Sequence, residues 1–331
     1  REFALYEKLS KSTGCRIAFG LGQITGQDKL WIEILERTQQ ANREGARLTP
    51  WVPARPVSVL FSLQGFTPFE DCPTYQSLKS IAPTKRAEQM ARPETRKQIL
   101  FELPEDHVLS VLIGMNLGNS FAMPDRQIFE PGPDDSLASI ARREGRLEEG
   151  AMAVFYDELV GIGLASQGTG FVSTYLSGYC DGDLEDIRKL LMHPDTVLGA
   201  SDGGAHVNVM CDASYTSFVL QHFVRDRTRG EKIPLEDAIQ VMTQQPAALY
   251  GLDDRGTLEV GKKADINVID LDRLELKMPR LVNDLPGASE RIIQDVVGYI
   301  ATIVSGEVTY RDGTLTGARP GRLLRGRQPA D

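Results

Sequence analysis

The sequence predicts an α/β chain, part of a (β/α)8 barrel or of a doubly wound sheet, followed by a small β-rich segment. Three observations carry this. Short apolar strand-like runs alternate with amphipathic helical runs up to about Arg227. Glycines cluster just past strand ends. After Gly251 helical periodicity vanishes and Gly256, Gly261, Gly306, Gly313 and Gly317 punctuate short strand-like runs. The expected division is residues 1–253, with a long insertion at about 62–133, and residues 254–331.

The first unit is a strand over Cys15–Leu21, a helix over Asp28–Glu44 and a strand over Ala46–Val52. In the helical run Leu30, Trp31, Ile34, Leu35 and Ala41 share one face, and Gly45 sits at the C-terminal stop. Two strands joined by one helix imply parallel pairing and a right-handed crossover. From Ser62 to Pro133 the pattern is irregular and rich in Pro and Gly, apart from a charged helix near Thr84–Phe101. An excursion of that length suits a lid or binding loop. Helices are expected over Asp134–Gly145 and Glu148–Gly163, a strand over Gly170–Tyr179, a helix over Asp183–His193, a strand over Thr196–Ser201 and a helix over Ser214–Arg227.

Composition narrows the function classes. The 331 residues are 41% hydrophobic and 25% charged, in the range of packed globular chains. Thirty-seven Lys and Arg against 46 Asp and Glu give a net charge of −9, which disfavours nucleic acid as a partner. No run reaches the roughly 20 apolar residues of a membrane span. Cys15, Cys72, Cys180 and Cys211 form no Cys-x-x-Cys pair and read as reduced thiols of a cytoplasmic protein. A homo-oligomer is left open.

The informative stretch is TVLGASDGGAHV, Thr196–Val207. A strand delivers Asp202 at its C-terminal end, where active sites of parallel α/β folds gather, and Gly203 and Gly204 allow close approach of a ligand. Asp202 reads either as an acid/base or metal ligand, or as the cap of a turn. Gly199-Ala200-Ser201-Asp202-Gly203 also satisfies the Gly-x-Ser-x-Gly nucleophile elbow, with Ser201 as nucleophile and His206 or His222 as base, although no helix follows directly. His222, in a helical run, reads as a packing histidine. His193 precedes Pro194 at a helix end, and His107 receives no role. Gly20-x-Gly22 is an incomplete echo of a phosphate-binding loop and is set aside.

VLGASDGGAHV, the stretch Glu236–Leu274 and the closing Ser305–Gly326 together resemble the amidohydrolase superfamily, and within it the D-aminoacylase (N-acyl-D-amino-acid deacylase) branch. The Pro246–Asp270 series of Pro-Ala, Gly-Leu, Gly-x-Leu and Gly-x-x-Ala-Asp-Ile-x-Val-x-Asp is the most specific part. Ala54–Pro56 and the YDELV helix also look like this branch. The resemblance implies a TIM barrel with a composite β-sandwich domain, and metal-dependent hydrolysis of a carbon–nitrogen amide bond, that of an N-acyl-D-amino acid. It implies one zinc ion, with Asp202 as a ligand and as shuttle of a proton from metal-bound water to the leaving nitrogen. His206 would polarise the carbonyl or hold Asp202. Arg55 would grip the substrate carboxylate, and Ser201, Gly203 and Tyr179 would line the mouth together with Ser177. The family's His-x-His is absent, since His107, His193, His206 and His222 are the only histidines. The remaining ligands are therefore expected upstream of residue 1, with the chain a C-terminal piece inactive alone. The rival from another class is a barrel that has lost its metal ligands and serves as a scaffold or binding module.

Overall fold

The computed structural model describes every residue except 1, 28, 105, 200, 202 and 329–331. Helix α1 (Glu2–Thr13) leads to β1 (Ile17–Gly20), α2 (Leu30–Arg43) and β2 (Leu48–Val52). β1 and β2 pair in parallel, Ile17 opposite Leu48, as the strand–helix–strand order implies. β6 (Val197–Leu198) joins the other edge of β2, also in parallel, with Trp51 opposite Val197. This open sheet of order β1-β2-β6 is the only parallel sheet among the described residues, and they form no closed barrel. α2 buries Trp31, Leu35 and Ala41 against it, three of the residues that share its apolar face.

A second sheet departs from the expectation. β3 (Val57–Phe61), β4 (Ser120–Met123) and β5 (Phe171–Ser177) pair antiparallel in the order β3-β5-β4. β5 is the Gly170–Tyr179 strand that the alternating order assigns to a parallel sheet. It is a continuous buried run from Phe171 to Tyr175, and such a run reads the same in either orientation because both faces are covered.

The stretch read as irregular apart from a charged helix near Thr84–Phe101 holds four helices, two of them where that helix was expected. α3 (Pro73–Leu78), α4 (Pro83–Met90) and α5 (Pro93–Glu102) each begin on a proline, and α6 (Val108–Asn116) follows. Proline at the first helical position lacks an N–H that would have had no partner there and brings a helical φ. Prolines that made the stretch read as irregular therefore start helices, and Pro93 divides the expected charged helix in two. α7 (Leu137–Arg143) and α8 (Ala151–Ala165) complete the layer, and α8 sinks Val154, Phe155, Tyr156, Leu159 and Ile162 into a core shared with Phe61, Phe69 and Met90.

α9 (Glu185–Leu191) precedes β6, and α10 (Tyr215–Phe218) continues as a π-helical turn over Val219–Asp226. α11 (Leu235–Met242) and α12 (Gln244–Tyr250) follow, the latter closed by Gly251 in the left-handed region. Beyond it lies an antiparallel sheet of β7 (Ile266–Ile269), β12 (Tyr299–Val304), β13 (Glu307–Arg311) and β14 (Thr314–Leu315), in the order β14-β13-β12-β7. Two small pairs return towards the first part: β8 (Glu275–Leu276) with β11 (Val296–Val297), and β9 (Arg280–Val282) with β10 (Arg291–Ile293). Leu276 packs with Phe218 and Phe223, and Ile292 with Leu60, Met123, Phe171 and Cys211. No helix of the described residues is long and apolar enough to cross a membrane.

Gly298, between β11 and β12, holds φ +102, and a Cβ there would stand 2.6 Å from Leu274 Cα and 2.8 Å from its nitrogen. Backbone cannot swing aside as a side chain does. Gly298→Ala is expected to lower stability by about 1–3 kcal/mol, read as a fall in the urea midpoint; an unchanged midpoint would show that the turn relaxes freely.

Candidate active site

The loop after β6 runs from Gly199 to Ser214. Its first glycine lies against Trp51 of β2, where a Cβ would stand 3.2 Å from the indole ring. Asp202, the centre of the predicted chemistry, and Ala200 lie outside the described residues. Beyond them the loop is pinned to β3 and β10. Leu60 N–H of β3 donates to Val209 O (2.8 Å) and Ile292 N–H of β10 to Val207 O (2.6 Å). His206 takes φ +47, a conformation uncommon outside glycine, and its carbonyl accepts from Val209 N–H (2.9 Å) and Met210 N–H (2.8 Å). The histidine is thus the corner of a turn, with its residue exposed.

Ser201 is half-buried, and its hydroxyl accepts from Gly203 N–H at 3.3 Å, an arrangement that closes a turn. The next helix starts only at Tyr215, so the strand–turn–helix context of a nucleophile elbow is missing. Gly203 is exposed, and a Cβ on it would meet Ala213 Cα at 3.4 Å.

The loop faces a cavity of about 260 Å³. Gly204, Ala205, Val207 and the run Met210–Ser214 form most of its wall, and the opposite side is β8, β10, Gln294 and Val296. Burial pushes the Cys211 thiol up to about 11, partly offset by the positive charge of Arg55, so it stays protonated near neutral pH and is a poor nucleophile. Asp212 is buried in the same wall.

Arg55, on the turn between β2 and β3, is 3% exposed. Its Nη1 donates to Ser214 Oγ (3.0 Å) and Gln294 Oε1 (3.4 Å), both on residues of the cavity wall, and the guanidinium lies over the Phe218 ring at 5.7 Å. Among the described residues these partners are all uncharged. A buried cation is costly without a facing anion, and this one, which does not itself line the cavity, bonds two residues that do.

Tyr179 sits elsewhere. It is 1% exposed, its hydroxyl donates to Pro131 O and accepts from Arg229 Nη1 (3.1 Å), and its ring packs edge-on to Phe121. Burial pushes its hydroxyl up to about 12 against the pull of Arg229. It is absent from the cavity wall, as is Ser177.

Three other histidines are accounted for by packing or surface contacts. His222 is buried, stacked on Phe218 and within 3.0 Å of Glu130 Oε2 through Nε2. His107 caps α6 by accepting from Leu109 N–H (3.3 Å) and lies 3.3 Å from Asp71. His193 accepts from Asp195 N–H at 3.1 Å. No group of three or more His, Cys, Asp or Glu among the described residues is placed to hold a metal ion, so these residues do not by themselves supply a zinc site.

The sequence reading missed Ser214, Gln294, Cys211 and Asp212. Cys211 and Asp212 follow Asp202 by about ten residues and a strand-end loop of that length was a usable signal. Gln294, a polar residue between two short strands, carries none.

Residues 136–310, just over half of the chain, match the model of the amidohydrolase family. An N-acyl-D-glutamate deacylase of Alcaligenes xylosoxydans xylosoxydans is 34% identical over 43% of this chain and 27% of its own length. An N-acyl-D-aspartate deacylase of the same organism is 36% identical over 43% of this chain and 26% of its own. The solved structure of an N-acyl-D-glutamate deacylase from Bordetella bronchiseptica, complexed with zinc and a phosphonate inhibitor, aligns with 99% of this chain and 52% of that one, at 18% identity and a TM-score of 0.43. The chain thus aligns with about half of that structure, and its matched segment spans about a quarter of the curated relatives. Because the family match runs across β5, β6, the Gly199–Ser214 loop and the β-rich segment to Tyr310, this chain belongs to the amidohydrolase family.

Proposed function

We propose that the protein carrying this chain hydrolyses the amide bond of N-acyl-D-amino acids, and that the chain supplies the late strands of a (β/α)8 barrel with its composite β-domain. The supporting observation is the wall of the cavity: the loop after β6, inside the family-matched segment, forms most of it, and a buried guanidinium whose hydrogen-bond partners among the described residues are neutral bonds two residues of that wall. In this reading Asp202 accepts the proton of the attacking water and returns it to the leaving nitrogen. Arg55 receives the substrate carboxylate. His206, Ser201 and Gly203 shape the loop that presents Asp202. The resemblance implies a zinc ion, but the described residues do not make its site.

The test is release of free amino acid from N-acetyl-D-amino acids by the protein carrying this chain, paired with Arg55→Met. The variant is expected to raise KM for the acid on the order of tenfold or more, the worth of one charge-assisted hydrogen bond, with little change for the carboxamide analogue. Absence of hydrolysis across N-acyl-D- and N-acyl-L-amino acids would favour the scaffold reading.

A further inference from the structure

Gln294 lies on the turn between β10 and β11 and joins four separate parts of the chain. Its amide oxygen accepts from Arg55 Nη1 (3.4 Å) and from Ser214 Oγ (2.8 Å), and its nitrogen donates to Gln127 Oε1 (2.7 Å) and Lys277 O (2.8 Å). All its capacity is therefore directed, and the orientation of the amide is fixed: the two donors point to acceptors, which leaves the oxygen toward the cation. The oxygen is one of two atoms on cavity-wall residues that Arg55 Nη1 reaches, the other being Ser214 Oγ (3.0 Å). A carboxylate oxygen placed there would receive the same two hydrogen bonds, from Nη1 and from Ser214, and would add a charge that no hydrogen-bond partner of Arg55 among the described residues carries.

We propose that Gln294 is the specificity-determining residue of this pocket, a neutral placeholder whose amide oxygen holds the seat taken by the carboxylate of the substrate. This rests on Arg55 being the carboxylate anchor. A resident Glu at the same place would neutralise Arg55 and shut the seat; a resident Gln keeps the cation buried, oriented and available. The arrangement gives up some stability of the free protein so that the charge can be used on a ligand, and the two quantities should move in opposite directions when the charge is supplied from within.

Gln294→Glu tests this with binding as the readout. Dissociation constants of N-acetyl-D-alanine and N-acetyl-D-alaninamide, which differ only in the carboxylate, are measured by calorimetry on the protein carrying this chain, together with its ligand-free Tm. The unaltered protein is expected to prefer the acid on the order of tenfold. In Gln294→Glu that preference collapses to near unity while Tm rises by about 2–4 °C. Gln294→Met, which cannot neutralise Arg55, keeps the preference. Retention of the preference in Gln294→Glu overturns the proposal, and so does its loss in Gln294→Met, which would make Gln294 a mere support. Arg55→Met separates the two levels. If it abolishes the preference and Gln294→Glu does not, only the placeholder role fails. If the preference survives in Arg55→Met, or is missing from the unaltered protein, the anchor reading fails with it.

Discussion

Asp202→Asn is expected to lower turnover of N-acyl-D-amino acids by about 10²–10⁴-fold, the contribution of a positioned proton carrier, with KM and the unfolding midpoint nearly unchanged. The substitution separates the two roles that the sequence leaves to Asp202. Asparagine caps a turn or a helix start about as well as aspartate, so a capping role predicts no loss. It holds no proton-accepting carboxylate, so a shuttle role predicts a large one. The surroundings make this a clean comparison: the loop is pinned by Leu60 to Val209 and by Ile292 to Val207, contacts that a same-shaped side chain at 202 leaves untouched. Stopped-time release of the free amino acid gives kcat and KM, and thermal unfolding checks the fold. A kcat within threefold of the unaltered enzyme would remove Asp202 from the chemistry.

What the sequence disclosed follows from what periodicity encodes. The helix over Asp28–Glu44 and the strands beside it were legible because one apolar face repeats at helix spacing and Gly45 stops the run, and the structure places α2 and the parallel β1–β2 pair there. Orientation was not legible for β5, whose two buried faces erase the alternation that marks a sheet facing water. The charged helix expected near Thr84–Phe101 is two helices, α4 and α5, each started by a proline, and α3, also begun on a proline, falls where the Pro- and Gly-rich text was read as irregular. In the site, Arg55 and the glycine-flanked loop were visible as a charge at a strand end and a motif. Gln294 and Ser214 were not, because they act by position alone, through partners about 240 and 160 residues away. The same limit hid Glu130: its partners His222 and Arg227 lie more than 90 residues on, and nothing local announces a buried ion pair.

That ion pair carries the second large effect, on stability. Glu130 is almost fully buried and accepts four hydrogen bonds: from Leu184 N–H (2.8 Å), from His222 Nε2 (3.0 Å) and from the Arg227 fork (both 3.1 Å). Burial alone would raise its pKa, but the bonds from His222, Arg227 and the Leu184 amide outweigh that and hold it at about 2, against an ordinary 4.5. Arg227 is wholly buried and has Glu185 as its other carboxylate partner, at 3.1 Å. Glu130→Gln keeps the shape, removes the charge and turns an N–H toward a donor, leaving Arg227 half-paired in the interior. A loss of about 3–5 kcal/mol is expected, seen as a lower denaturant midpoint with an unchanged slope. The pH dependence gives a second reading. A carboxyl whose folded pKa is depressed stabilises above its unfolded value, and that stability drains away as pH falls from about 4.5 to about 2. The unaltered protein should therefore lose stability steeply across this window, and Glu130→Gln less so. The consequence reaches the pocket, because His222 stacks on Phe218 and Phe218 carries the Arg55 guanidinium on its ring. A Glu130→Gln protein should bind N-acetyl-D-alanine more weakly even at pH 7. Equal midpoints and parallel pH profiles in the two proteins would show that the buried pair is energetically idle.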